Sequence, residues 1–200
     1  MRYLALTLLV VATPAFGAEP VVKDTSYRGA DGARVQQLEV VVAAPPQKVW
    51  AALTTDAGFT GWATPFAHVT LGNDGMIEAS YSLSAKLGDA DNIRNQIVAY
   101  LPDRMLVLHN VHVPKGAPFK QEAIDKIRTV ILLDDLGDGR TRVTESGVGY
   151  GEGADFDAMY AHFREGNAEE FASLAQYLEK GPVDWKAVAA KMTASVGDKN

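Results

Sequence analysis

The sequence predicts an α+β fold in which a curved antiparallel sheet wraps around one long C-terminal helix. Three observations carry this. Between residues 25 and 150 strand-like runs alternate with turn signals, most of them too short for a parallel crossover. From Asp155 the apolar period switches to three- and four-residue spacing and holds for about seven turns. A bent sheet and a single amphipathic helix then have one economical packing, with the helical stripe buried against the sheet's inner face. Volume left unfilled between the two becomes a pocket.

The chain opens on a segment set apart from that fold. Arg2, the run Leu4–Ala12 (LALTLLVVA), the helix breaker Pro14 and the small residues Ala15, Gly17 and Ala18 follow the order of a secretory signal peptide. The greasy run of nine residues is far short of the roughly 20 that span a bilayer. Cleavage after Gly17 leaves Ala15 and Gly17 at the small-residue positions, whereas cleavage after Ala18 puts Phe16 there. Residues 1–18 are therefore read as a leader, 19–181 as one domain and 182–200 as a C-terminal helical extension.

Thr25–Arg28 and Val35–Ala43 read as strands around the turn Ala30-Asp31-Gly32. Pro45-Pro46 suits the first turn of a short helix whose stripe is Val49, Trp50 and Leu53. Thr55 can cap a second short helix carrying Phe59 and Trp62, and these two helices should close one end of the sheet. Six more strands are expected: Ala67–Leu71, Met76–Leu83, Ile93–Leu101, Met105–Val113, Ile127–Leu136 and Thr141–Tyr150. The long helix has Phe156, Met159, Tyr160, Phe163, Asn167, Phe171, Leu174 and Leu178 on one stripe, with Asp155 and Asp157 in its first turn. Gly181-Pro182 ends it, and Asp184 can cap a last helix with Trp185, Val188 and Met192 on one side, while Lys199-Asn200 is expected to fray.

Composition narrows the function classes. With 47 % hydrophobic and 22 % charged residues the chain has the mix of a globular protein. Its 19 basic and 25 acidic residues give a charge of −6, and loss of Arg2 with the leader leaves 18 against 25, or −7. That balance speaks against nucleic-acid binding and against an electrostatic membrane anchor. The absence of cysteine removes disulfides, thiolate metal sites and cysteine nucleophiles, and in an exported protein it fits a bacterial periplasm.

The stretch Val42-Ala43-Ala44-Pro45-Pro46-Gln47-Lys48-Val49-Trp50-Ala51-Ala52-Leu53-Thr54 resembles the opening of the START-like, or SRPBCC, superfamily. The likeness is greatest to its polyketide-cyclase-like branch and to the homology domain of the heat-shock-chaperone ATPase activators. Three further stretches are similar to family elements: Ile97–Pro102 with Leu106, Gly139–Thr144, and Tyr160–Asn167. The resemblance covers roughly residues 25–180 and implies a helix-grip (Bet v-like) fold with a hydrophobic cavity. It implies no particular activity, because the fold hosts carriers, receptors, cyclases and chaperone regulators.

Candidate chemistry is sparse. His109 and His112 stand three apart on a predicted strand, which puts them on opposite faces, and no metal site is expected. Glu145-Ser146-Gly147-Val148-Gly149 lacks the first glycine of a nucleophile elbow. Gly149–Ala154 matches G-x-G-x-x-A, but no strand follows the helix to complete a dinucleotide unit and Glu152, Asp155 and Asp157 would repel a pyrophosphate, so it reads as a turn and no cofactor is implied. If Val143 points inward, Glu145, Gly147 and Gly149 do too. Tyr81 shares a face with Ile77 and Leu83, and Asn167 lies on the helical stripe beside Gly166, whose place in a helix speaks for close packing or room for a ligand.

The expected ligand-binding set is Trp62, Phe66, Tyr81, Glu145, Phe163, Asn167 and Phe171, with Trp62 and Phe66 at the pocket mouth. Asn167 and Glu145 can equally hydrogen-bond each other inside the core. The expected function is a periplasmic carrier or sensor for a small hydrophobic molecule, lipid or aromatic. The alternatives are a cyclase- or hydrolase-like enzyme using Glu145 with Tyr81 or His109 as acid and base, and a protein-binding regulatory module. The leader weighs against a cytosolic chaperone as the partner of such a module.

Overall fold

The computed structural model describes residues 21–115 and 117–197; the expected leader and the last three residues lie outside them. In chain order the strands are β1 (Lys23–Asp24), β2 (Tyr27–Arg28), β3 (Arg34–Val42), β4 (Phe66–Thr70), β5 (Met76–Ser80), β6 (Ile93–Leu101), β7 (Met105–His112), β8 (Arg128–Asp135) and β9 (Thr141–Tyr150). The helices are α1 (Pro46–Thr54), α2 (Asp56–Thr60), α3 (Gln121–Ile124), α4 (Ala154–Lys180) and α5 (Trp185–Gly197).

All strands of the described residues join one curved antiparallel sheet, ordered β1-β3-β9-β8-β7-β6-β5-β4, with β2 also paired to β3. The expected first strand, Thr25–Arg28, is instead two two-residue pieces on β3, which register Lys23 with Glu39 and Tyr27 with Val35. From β4 to β9 the chain is a meander, each strand beside its predecessor. The connection from β3 to β4 must cross from near one edge of the sheet to the other, and α1 and α2 make that crossing. Pro46 stands in the first turn of α1, and Thr55 caps α2 by accepting a hydrogen bond from the Gly58 amide at 3.0 Å.

The inner face of the sheet and the stripe of α4 share the main core, in which Val40, Val49, Ile77, Val143, Phe171 and Leu174 are almost fully buried. A second, smaller cluster gathers Ile124, Ile127, Tyr150 and Met159, with Phe119, Phe156, Tyr160 and Phe163 against it. It is built around residues 113–127 between β7 and β8, which contain the one-turn α3 and include Val113 and Ile127, expected at strand ends.

The chain beyond α4 turns back onto α2. The Gly181 amide donates to the Tyr177 carbonyl at 2.9 Å, the Val183 amide to the Gly61 carbonyl at 2.9 Å, and the Trp185 indole N–H to the Thr60 carbonyl at 2.6 Å. Gly61 permits this closeness: a Cβ there would lie 2.4 Å from the Tyr177 ring. Asp184 caps α5 as expected, its Oδ1 accepting from the Ala187 amide at 3.0 Å, while Val188 stays 37 % exposed.

Candidate functional site

Between the two clusters lies a cavity of ≈ 290 Å³. Its walls are the inner face of the sheet, the stripe of α4, the end of α2 and the 113–127 connection. Strand pleating decides which residues reach it. On β7 these are Leu106, Leu108 and Asn110; on β8 and just before it, Ile127, Thr129 and Ile131. Aromatic rings close the space at both ends: Phe59 and Trp62 beside the main core, Phe119, Tyr150 and Phe163 beside the smaller one.

Of the expected ligand-contact residues, Trp62, Tyr81, Glu145, Phe163, Asn167 and Phe171 line this cavity. Phe66 does not. It opens β4, where Ala67 takes the buried inward position, so alternation turns Phe66 the other way. Trp62 is not at a mouth either, being 5 % exposed with its indole N–H donating to the Ala52 carbonyl at 3.0 Å. His109 also stands outside the cavity, because the inward residues of β7 are the even-numbered Leu106, Leu108 and Asn110; its Nε2 is buried without a hydrogen-bond partner. It is therefore not placed to act as acid or base there. His112 meets the Ala90 carbonyl at 2.8 Å, and His68 pairs with Asp56 at 3.0 Å.

On β9, Val143 is fully buried and Glu145 and Gly147 face the cavity as alternation predicts. Gly149 does not follow. Arg34 pairs with Tyr150 but Gln36 with Gly147, so one extra residue of β9 is accommodated by a bulge. Gly149 sits in it at φ +97°, where a Cβ would be 2.0 Å from the Lys126 carbonyl oxygen. Past the bulge Tyr150 takes the inward place, 7 % exposed. On β5, regular pairing stops at Ser80; Tyr81 still reaches the cavity, whereas Leu83 is 55 % exposed and shares no wall with it. Gly166 has open space where its side chain would be, so neither close packing nor the cavity accounts for it.

The polar residues form two hydrogen-bonded groups. The Asn167 side-chain amide donates to Glu145 and lies 3.5 Å from the Gln36 side-chain oxygen, while Gln36 donates to the Tyr160 carbonyl at 2.9 Å. The Tyr81 hydroxyl donates to Glu170 at 2.8 Å. Glu170 was missing from the expected set, although its position three residues after Asn167 and seven after Phe163 places it on the same helical stripe. Burial pushes the Glu145 carboxyl up to about 8, and the negative charge of Glu170 adds to the effect. Burial also raises Glu170, partly opposed by the hydrogen bond from Tyr81. Tyr81 is 62 % exposed, but its hydroxyl is turned in to Glu170 and is raised by loss of solvent there, then by the Glu170 charge and their shared hydrogen bond. At neutral pH Glu145 is thus largely protonated among the oily walls. No group of three histidines or carboxylates among the described residues converges as a metal site would.

The glycine-rich link from β9 to α4 is a turn, with Gly153 at φ +106°. Arg34 ties it down by donating to the Gly151 carbonyl and to Asp157 in the first turn of α4.

Comparison with solved structures supports the same architecture. A solution structure of the Aha1 dimer from Colwellia psychrerythraea is 20 % identical, with a TM-score of 0.56 over 74 % of this chain and 97 % of that one. A protein of Mesorhizobium loti is 20 % identical, with a TM-score of 0.57 over 75 % and 100 %. CalU16 from Micromonospora echinospora is 17 % identical, with a TM-score of 0.53 over 83 % and 86 %. No curated protein sequence matches. At these identities the likeness speaks for the fold alone, which is the START-like helix grip. A family model, that of the Activator of Hsp90 ATPase homolog 1-like proteins, matches residues 43–179, and the chain belongs to that family.

Proposed function

We propose that this protein is an exported, periplasmic carrier or sensor that holds a small, mainly apolar molecule between its sheet and α4. The observation that carries the reading is the ≈ 290 Å³ cavity, walled by aliphatic and aromatic side chains with a few grouped polar atoms. Small-molecule sites run from about 300 to 1,000 Å³, so the ligand belongs at the small end: one ring system or one short chain, not a two-chain lipid. Contact falls to Trp62, Tyr81, Phe163 and Phe171, with Glu145, Asn167 and Glu170 fixing orientation. Export rests on the order Arg2, Leu4–Ala12 and the small residues at 15, 17 and 18.

Native mass spectrometry of protein taken gently from its own host tests both parts. The expected spectrum shows a chain shortened at Gly17 or Ala18 and carrying a small organic mass that denaturation releases. A bare chain that also takes up no apolar probe would overturn the carrier reading, and an intact N-terminus would overturn export.

One observation favours a second reading, catalysis. Glu145, held near 8, is a proton donor at neutral pH beside a second carboxylate. The two readings separate on the co-purified molecule. Recovery unchanged after incubation speaks for carriage; conversion that ceases in Glu145→Gln makes Glu145 the acid.

A further inference from the structure

We propose that the cavity is built for an organic monocation, an ammonium group on a small apolar body, with its charge seated between Glu145 and Glu170. The inference rests on the reading that the cavity holds a ligand, and it names that ligand's class. Two carboxyl groups face the space, and among the described residues no lysine or arginine is in its wall. The other ionisable residues that line it are His162, Tyr81 and Tyr150. With its carboxyls ionised the cavity is negative, the opposite of what a fatty acid or another organic anion needs.

The hydrogen bonding points the same way. The Tyr81 hydroxyl and the Asn167 amide are already committed as donors to Glu170 and Glu145. Asn110, also in the wall, has its side-chain oxygen buried with no hydrogen-bond partner. The wall atom left buried without a partner is an acceptor, the Asn110 amide oxygen, and both carboxyl groups keep further lone pairs. A ligand that brings donors satisfies these acceptors, and an ammonium brings three together with a positive charge that favours the ionised form of Glu145 and Glu170. The rings of Trp62, Tyr81, Phe163 and Phe171 supply the apolar wall and faces that attract a cation.

Three probes of one shape test this at neutral pH by calorimetry: phenethylamine, propylbenzene and phenylpropionate. The ammonium is expected to bind about tenfold or more tighter than the hydrocarbon, a difference of one decade in Kd, with the carboxylate weakest. Glu170→Gln and Glu145→Gln should each shrink the ammonium preference several-fold while propylbenzene binding persists. A variant that fails to fold declares itself by losing propylbenzene as well, and the wild-type ranking then decides alone. Propylbenzene or phenylpropionate matching the amine overturns the monocation and leaves the apolar carrier standing. Binding of none of the three removes both.

Discussion

Glu145 contributes a pH dependence to the stability of this protein. Its carboxyl stands at about 8 in the folded chain against an ordinary value of 4.5. Between these values the folded state keeps a proton that the unfolded chain has released. Its contribution therefore makes stability fall as pH rises through the window, by at most about 1.4 kcal/mol per pH unit. Glu170, raised for the same reason, acts in the same direction from α4. Glu145→Gln should flatten this decline, measured as urea midpoints from about pH 4.5 to about pH 8; parallel wild-type and variant profiles would contradict it. Gly166 makes a simpler case. It lies mid-helix with nothing within 4 Å of where a Cβ would stand. Gly166→Ala should raise stability by about 1 kcal/mol, read from the same titrations. That Glu145 and Asn167 meet was legible in advance, since one follows from strand alternation and the other from helical spacing. Glu170 was overlooked because a glutamate beside another glutamate reads as a solvated face until the wall opposite it is known.

Elements with a strong period were the most legible. The bounds of β6 and β9 match expectation, α4 starts and stops within a residue or so of its signals, and Thr55 and Asp184 cap the helices that follow them. Failures have local causes. Alternation fixes faces only while pairing is regular, so Gly149 was assigned inward and the bulge handed that place to Tyr150. The 113–127 connection has no period, and its role as a wall of the cavity comes from tertiary contacts alone. Phe66 and His109 were misplaced for another reason: an aromatic ring or an imidazole signals chemistry, but the face on which it lies is set by its neighbours. The bulge is itself testable. Gly149→Ala combines a left-handed φ with a backbone clash and should cost about 1–3 kcal/mol or more in stability. It should also disturb Tyr150, seen as altered ring signals by NMR; a variant as stable as the wild type would show that the bulge relaxes freely.

At the scale of the whole molecule, the meander and α4 leave a space in whose sheet wall Thr129 is a short residue, paired with Gly147, where the Tyr150 ring takes the place of a side chain. The same architecture with a bulkier centre would be a solid core. Family membership and the structural likenesses fix the grip but assign it no task. Function therefore depends on whether that space is used.

Calorimetry with propylbenzene on the wild type and on Thr129→Trp, whose indole would fill the cavity from the sheet side, tests this most directly. The account predicts one-to-one binding to the wild type and at least about tenfold weaker binding to the variant, with its fold intact by circular dichroism. Equal affinity in the two proteins would place the probe elsewhere and contradict a ligand site between sheet and helix.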